Sequence, residues 1–303
     1  MFTPDKITEI FCIADDFCKE FDQEIKKYQI TTTPEQKSYN RSCRMTDSEI
    51  MTILVGFHFG TFRNFKHYYL FYIKEHLAKE FPNLVSYNRF VELQGKLFVQ
   101  LALFLKLICF GECTGITYVD STCIRVCHNK RIKRNKVFKG LAETGKSTMG
   151  WFFGFKLHLV CNERGELLNF CLTRGNVDDR NKDVFSVLSK DLFGKLYGDK
   201  GYISTSLFEV LFNDGIHLVT GIKNNMKNRL MSLKDKILLR KRSVIETIND
   251  ELKNICHAEH SRHRSPANFI INILAALAAY SFFPKKPSIK FEREKSTQLA
   301  LFF

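Results

Sequence analysis

The chain of 303 residues predicts an α/β fold: a mixed sheet flanked by helices, preceded by a mostly α-helical N-terminal region. Three observations carry that prediction. Up to about residue 110, apolar residues recur at helical spacing behind clear helix-start signals. From Gly111 the period shortens, and ITYVDSTCIRV, WFFGFKLHLVCNE and LLNFCLTRGN read as three successive strands. Beyond them strands and helices alternate, as in a mixed sheet with helices on its faces.

Taken in order, Thr3-Pro4 with Asp5 opens one helix, and Thr46-Asp47 with Glu49 opens another ahead of an apolar run. The polar stretch YQITTTPEQKSYNRSCRM between them reads as a loop. After Pro82, Ser86 caps a long helix running into LKLICF. Short helices followed by one entering helix fit either a helix-turn-helix module or a bundle packed on the next domain. In the strand region, Asn162-Glu163-Arg164-Gly165 is a hairpin signal. A helix from Lys182 to Asp191, a strand KLYGD, a helix ISTSLFEVLFNDG and a strand HLVTGIK come next. A long helix from Leu233 to Cys256 follows, and then the apolar segment PANFIINILAALAAYSFF. That segment approaches spanning length, but Asn268, Asn272 and the Pro at its first turn suit a fully buried helix, so no membrane partner is expected. The domains expected are 1–110, helical and binding DNA ends; 111–283, the sheet domain; and 284–303, a charged, Pro-bearing, poorly ordered tail. No internal repeat stands out.

Composition narrows the function. The balance of 46 Lys and Arg against 32 Asp and Glu gives +14, which favours a polyanionic partner. Ten cysteines are scattered through apparent core segments, with no secretory signal ahead of them, so a reduced, cytoplasmic compartment is expected. Cys123-x-x-x-Cys127-His128 lacks a second ligand pair for zinc, and the thiols read as buried or incidental.

Three carboxylates make chemical sense together. Asp120 in YVDST and Asp199 in YGDKGY each close an apolar, β-rich run, as expected where a strand ends at the rim of a sheet. Glu246 lies in a basic helix with Arg242 four residues before it and Lys253 seven after, all on nearly one face at about 100° per residue. The competing Glu251 would have Thr247 and Ala258 at those positions, so the two cations select Glu246. Carboxylate oxygens are the hard donors that Mg²⁺ and Mn²⁺ prefer, and two such ions can flank a phosphodiester. Arg242 and Lys253 suit phosphate contacts, against the plainer reading of a solvated helix face.

The chain resembles bacterial insertion-sequence transposases with a ribonuclease H-like fold and a DDE triad, and is most similar to the insertion-sequence 982 family. The matching pieces are VDST, GFKLHLVCNERGELLNFCLTRGNVDDR, YGDKGY and R-x-x-x-E-x-x-x-x-x-x-K at Arg242, Glu246 and Lys253. Related transposases carry a Tyr three residues before that Arg, where this chain has Leu239. The resemblance implies that Asp120, Asp199 and Glu246 bind two Mg²⁺ (or Mn²⁺) ions. It also implies cleavage at transposon ends, strand transfer into target DNA, and a homodimer on paired terminal inverted repeats, nucleoid-associated when DNA-bound. Two other classes stay open: another ribonuclease H-like nuclease that cuts without joining, and a non-catalytic DNA-binding protein derived from a transposase.

Further residues have accessory roles to weigh. His158 and Lys156 share one face of the second strand and can line the catalytic edge, although a hydrogen-bonded sheet histidine is favoured. Asp178 and Asp179 are candidates to support the metal ligands, to serve as alternative ligands or to cap the following helix. Capping is favoured for Asp179, and Asp178 is the replacement ligand should Asp199 lie far from Asp120. Tyr202 is a packing residue or a phosphate contact. Two basic stretches read as DNA-contact surfaces. One holds Lys130, Arg131, Lys133, Arg134 and Lys136 in a loop between the first two strands, and the other runs from Lys223 to Arg242. Phosphate contacts carry no sequence readout, so end recognition falls to the N-terminal helices, including Ser86, Tyr87, Asn88 and Arg89.

Overall fold

The computed structural model describes residues 3–28, 43–60, 62–223, 226, 230–259 and 263–290. Most of the expected loop 28–45, part of the basic stretch 223–242 and the tail beyond 290 lie outside the described residues.

The helical region comprises α1 (Pro4–Tyr28), α2 (Asp47–Phe57), α3 (Phe65–His67) and α4 (Lys74–His76), the last two joined by a π-helical turn. Thr46 and Glu49 form the capping box: Glu49 N donates to Thr46 Oγ1 at 3.2 Å, and Thr46 N to Glu49 Oε2 at 2.7 Å. Ser86 caps the next helix through Arg89 N. The single long helix expected there is instead α5 (Tyr87–Gln94) and α6 (Phe98–Phe104), linked by a 3₁₀ turn and continued by a π turn to Cys109.

Six strands form one sheet: β1 (Ile116–Cys127), β2 (Glu143–Ser147), β3 (Gly150–Asn162), β4 (Leu167–Arg174), β5 (Gly194–Gly198) and β6 (Ile216–Thr220). The order is β2-β3-β1-β5-β6, with β4 also on the outer edge of β3. β1 pairs antiparallel with β3 and parallel with β5, which pairs parallel with β6. β2 is an addition to the three antiparallel strands expected. Its sequence ETGKS shows no apolar alternation, and it pairs with β3 where the chain just past β4 also runs very close. A Cβ on Gly145 would sit 2.0 Å from the Gly175 carbonyl oxygen. Gly165 closes the β3–β4 hairpin at φ +75°, a left-handed conformation that glycine adopts without strain.

Helices α7 (Lys182–Leu188) and α8 (Thr205–Asn213) cover one face of the sheet, around Val119, Val160, Phe185 and Leu207. On the other face lie α9 (Leu233–Arg240), α10 (Ser243–Asn254) and α11 (Pro266–Ser281). There Tyr118, Leu157 and Leu159 share one continuous core with Ile245, Ile248 and Leu252 of α10, with α11, and with the N-terminal helices. α11 is buried along most of its length, and among the described residues no helix is long and apolar enough to cross a membrane.

The helix expected over 233–256 breaks at Lys241-Arg242. Lys241 N turns back to the Ile237 and Leu238 carbonyls, while the Tyr118 hydroxyl donates to Leu238 O at 3.3 Å. That tertiary bond occupies a carbonyl that a continuing helix would use. The expected helix to Asp191 likewise stops at Leu188, and Asp191 sits at φ +63°.

Candidate active site

β1 and β5 stay hydrogen-bonded only from Ile116 to Tyr118, and the candidate site opens just beyond, where the two strands part. Asp120 is the second residue past that pairing. It lies in the middle of β1 rather than at a strand end, because β1 runs on to Cys127 against β3. Asp199 follows the last residue of β5 and caps a 3₁₀ turn, its Oδ1 accepting from Gly201 N at 2.7 Å. Ligand crevices form at such carboxyl ends of diverging parallel strands.

Burial pushes the Asp120 carboxyl up to about 6. The Arg242 guanidinium and the Asn249 amide oppose that rise, while the Asp199 carboxylate adds to it, so the two aspartates feel each other's charge. Asn249 Nδ2 donates to Asp120 Oδ2 at 2.9 Å, and Arg242 Nη1 lies 3.9 Å from Asp120 Oδ1. The same guanidinium holds Glu246, Nη2 to Oε1 at 2.5 Å. Arg242 therefore stands between the first and third carboxylates. Among the described residues no three His, Cys, Asp or Glu side chains converge on one point as a metal cluster does. Lys253, one face-turn along α10, donates to Cys123 Sγ at 3.8 Å.

The Arg242 turn is tied down from the sheet. Lys195 Nζ pairs with Asp235 Oδ1 at 2.7 Å and Tyr197 Oη donates to the same oxygen at 2.8 Å, fixing α9 against β5. Tyr118 and Tyr197 stack beneath it, centroids 5.4 Å apart.

A model of the transposase DDE domain matches residues 110–266, more than half of the chain and the whole span from the first strand to the start of α11. The chain belongs to the DDE transposase family. No curated protein matches it. The curled mixed sheet with flanking helices, preceded by helices, is the ribonuclease H-like architecture of a DDE transposase.

On the opposite face of β1 from Asp120 lies a polar network. Asp179 Oδ1 accepts from Ser121 Oγ at 2.9 Å and from Lys156 Nζ at 3.1 Å, with His158 Nδ1 3.9 Å away. Asp179 does not cap α7; Asn181 does, through Asp183 N and Val184 N. The part-buried Lys156 ammonium holds Asp179 inward, a pull invisible in the run GNVDDR. His158 is the hydrogen-bonded sheet histidine expected, Nε2 to Thr173 Oγ1 at 2.9 Å, and burial pushes its imidazole down to about 4. Asp178 turns outward into a two-pronged pair with Arg180, at 2.9 and 2.7 Å, which holds its carboxyl below the usual range. Tyr202 is a packing residue, buried edge-to-face against Phe185 at 5.8 Å. Its hydroxyl is buried beside Ser121 without a regular hydrogen bond.

The five basic residues Lys130, Arg131, Lys133, Arg134 and Lys136 are all exposed and make no ion pair among the described residues. They lie on and just after a 3₁₀ turn, Asn129–Arg134, rather than in an open loop. Asn249 escaped the sequence reading, yet its position was legible: three residues past Glu246 and seven past Arg242, on the same stripe of α10.

Proposed function

We propose that this chain is an insertion-sequence transposase, of the kind resembling the bacterial insertion-sequence 982 family. In that reading it cleaves DNA at the element's ends and joins the freed 3′-hydroxyls to target DNA. The observation that carries it is that Asp120 and Asp199 flank the parting of two parallel strands, where burial and the Asp199 charge leave Asp120 favouring a further cation beside Arg242. Hard carboxylate oxygens answer to Mg²⁺ or Mn²⁺. Two such ions, when bound, would acidify the attacking water or hydroxyl and offset charge on the leaving oxygen.

Asp120 and Asp199 would hold the ions, with Asn249 orienting Asp120 through its Oδ2. Glu246 would complete the triad after exchanging Arg242 for metal. Arg242, thereby released, and Lys253 would take phosphate oxygens of the substrate. The exposed cations from Lys130 to Lys136 would grip the DNA backbone, giving affinity without sequence choice. The partners are double-stranded DNA with terminal inverted repeats, target DNA and a second copy of the chain, in the cytoplasm with the nucleoid.

Asp120→Asn tests the reading. With Mg²⁺ or Mn²⁺ and linear DNA bearing the element's own ends, the expected loss of cleavage is on the order of 10³-fold, roughly 4 kcal/mol of barrier. DNA binding by gel shift should persist. Cleavage retained by that variant would overturn the assignment.

A further inference from the structure

Away from the aspartates, the far end of β1 borders a cleft of about 1360 Å³ between α2, α5, α11 and Trp151 of β3. Its rim and its floor differ in chemistry. Arg63, Lys66 and Arg264 stand at its edge without an ion-pair partner among the described residues, and Arg125 reaches only Glu259, at 4.0 Å. The other acid there, Glu92, is already paired with Arg89 at 2.9 Å. The rim thus carries a surplus of cations, spaced around an open mouth.

The floor offers polar atoms with nothing to bond. Gln94 is only 7% exposed, and its Oε1 is buried without a partner. Asn272 Nδ2 and His263 Nε2 also lie buried and unpaired along the same cleft. An orphaned buried polar atom costs roughly 1–3 kcal/mol, so the three residues that bring such atoms to this cleft leave hydrogen-bonding capacity that a polar ligand would meet. Amides of Asn and Gln are the side chains that pair with base edges. At the mouth, Trp151 leaves 61% of its surface exposed, with Lys146 Nζ over its ring at 5.8 Å, so the indole is a wet, cation-flanked surface on which a base can stack.

We propose that this cleft seats an unpaired stretch of a DNA strand, its phosphates on the cationic rim, one base on Trp151 and base edges on the Gln94–Asn272 floor. A paired base could not present its face to Trp151 or reach a floor enclosed by protein, which is why a single strand fits and a closed duplex does not. Arg125 lies five residues along β1 from Asp120, about 17 Å at strand rise. The assignment rests on the transposase reading and refines it: the strand held open would be the one leading to the cleaved phosphate, and Tyr87 and Asn88 of the helix expected to recognise ends line the same cleft.

The chain's single tryptophan makes the test direct. The full-length protein is titrated with a thymidine oligonucleotide of about 12 residues, and separately with a duplex of that length, at low salt. The expected result is quenching of Trp151 fluorescence by the single strand and little change with the duplex. By anisotropy, Trp151→Ala should weaken single-strand binding about tenfold while duplex binding holds. Lys66→Ala, an exposed change that gives up only a contact over the Tyr87 ring, should weaken it and flatten its salt dependence. Unchanged fluorescence, or equal losses for single strand and duplex, would overturn the proposal. Asp120→Asn is expected to bind the single strand as the parent does. Failure of cleavage therefore speaks to the transposase reading alone, and failure of quenching to the cleft alone.

Discussion

The two halves of the candidate site are held by different kinds of force. Asp120 and Asp199 ride on neighbouring parallel strands, whose spacing is set by backbone hydrogen bonds and by the Tyr118–Tyr197 stack. Glu246 rides on α10, which is attached to the sheet by one apolar stripe, by Asn249 on Asp120, and by the Arg242 guanidinium. The strand half has little freedom to rearrange, whereas the helix half hangs on side-chain contacts for which a substrate would compete. In the reading proposed above, Arg242 would leave Glu246 for phosphate, so that the strands would set where chemistry happens and the helix when.

Weakening the apolar stripe should have the largest effect on that contrast. Ile248→Ala empties a fully buried position between α10 and the sheet and should cost about 3 kcal/mol in chemical denaturation, within the usual range for such truncations. Cleavage should fall further than DNA binding, because the loss strikes the helix that presents Glu246. An equal cost from the exposed Thr247→Ala would mean that the stripe is not what holds the helix.

The strand half should announce itself through pH. The folded Asp120 carboxyl is raised from 3.8 to about 6 by burial, so the native state binds the extra proton between those values. Taken by itself, the Asp120 contribution to the stability of the metal-free protein should fall as pH rises from about 4 to 6, by on the order of 2 kcal/mol, and stay level above. The buried His58, His158 and His263, each pushed down to about 4, contribute the opposite slope over the same range, so the Asp120 share is read as the difference between parent and variant. Asp120→Asn keeps the histidine slope and lacks the Asp120 share, so the parent's stability relative to the variant should fall by about that amount across this range. Urea midpoints at pH 4.5 and 7.5 for both proteins check it.

How much of this was legible in the sequence follows from the range of the forces. The Thr46–Glu49 box, the Ser86 cap and the Gly165 hairpin turn are local devices, and the structure has each where its residues predict. The break at Lys241-Arg242 was not legible, because it depends on the Tyr118 hydroxyl 120 residues away. β2 was hidden for a related reason: ETGKS is a strand only because β3 offers it an edge. Of the site, the stripe Arg242–Glu246–Lys253 predicted a shared face but not who pairs with whom. Arg242 found two carboxylates and Lys253 found a thiol. Asp179 was misjudged because helix capping is a local rule, and Lys156 with Ser121 outbid it from another strand.

Arg242→Gln separates the two halves with a smaller effect. The ion pair to Glu246 is half open to water, so its loss should cost only about 0.5 kcal/mol of stability. Its electrostatic consequence lies on the strand side. With the nearest cation gone, the Asp120 carboxyl should titrate at a higher pH than in the parent, read by the pH dependence of stability. An unmoved midpoint would show that the guanidinium does not couple the helix to the strands.

The smallest effect should come from Asp178, the carboxylate beside the site that the structure turns away from it. Its oxygens are both taken by Arg180 on an exposed turn, and exposed pairs of this kind contribute about 0–1 kcal/mol. Asp178→Asn should change stability by less than about 0.5 kcal/mol and leave metal-dependent cleavage within about twofold of the parent. Asp179→Asn, one residue on, removes the acceptor of both Ser121 and Lys156 and leaves a part-buried ammonium without its carboxylate. It should cost more in stability than its neighbour, since an uncompensated charge near the sheet is expensive. If instead Asp178→Asn abolished cleavage and Asp179→Asn did not, the second carboxylate of the site would have to be sought on the β4–α7 turn rather than at the end of β5.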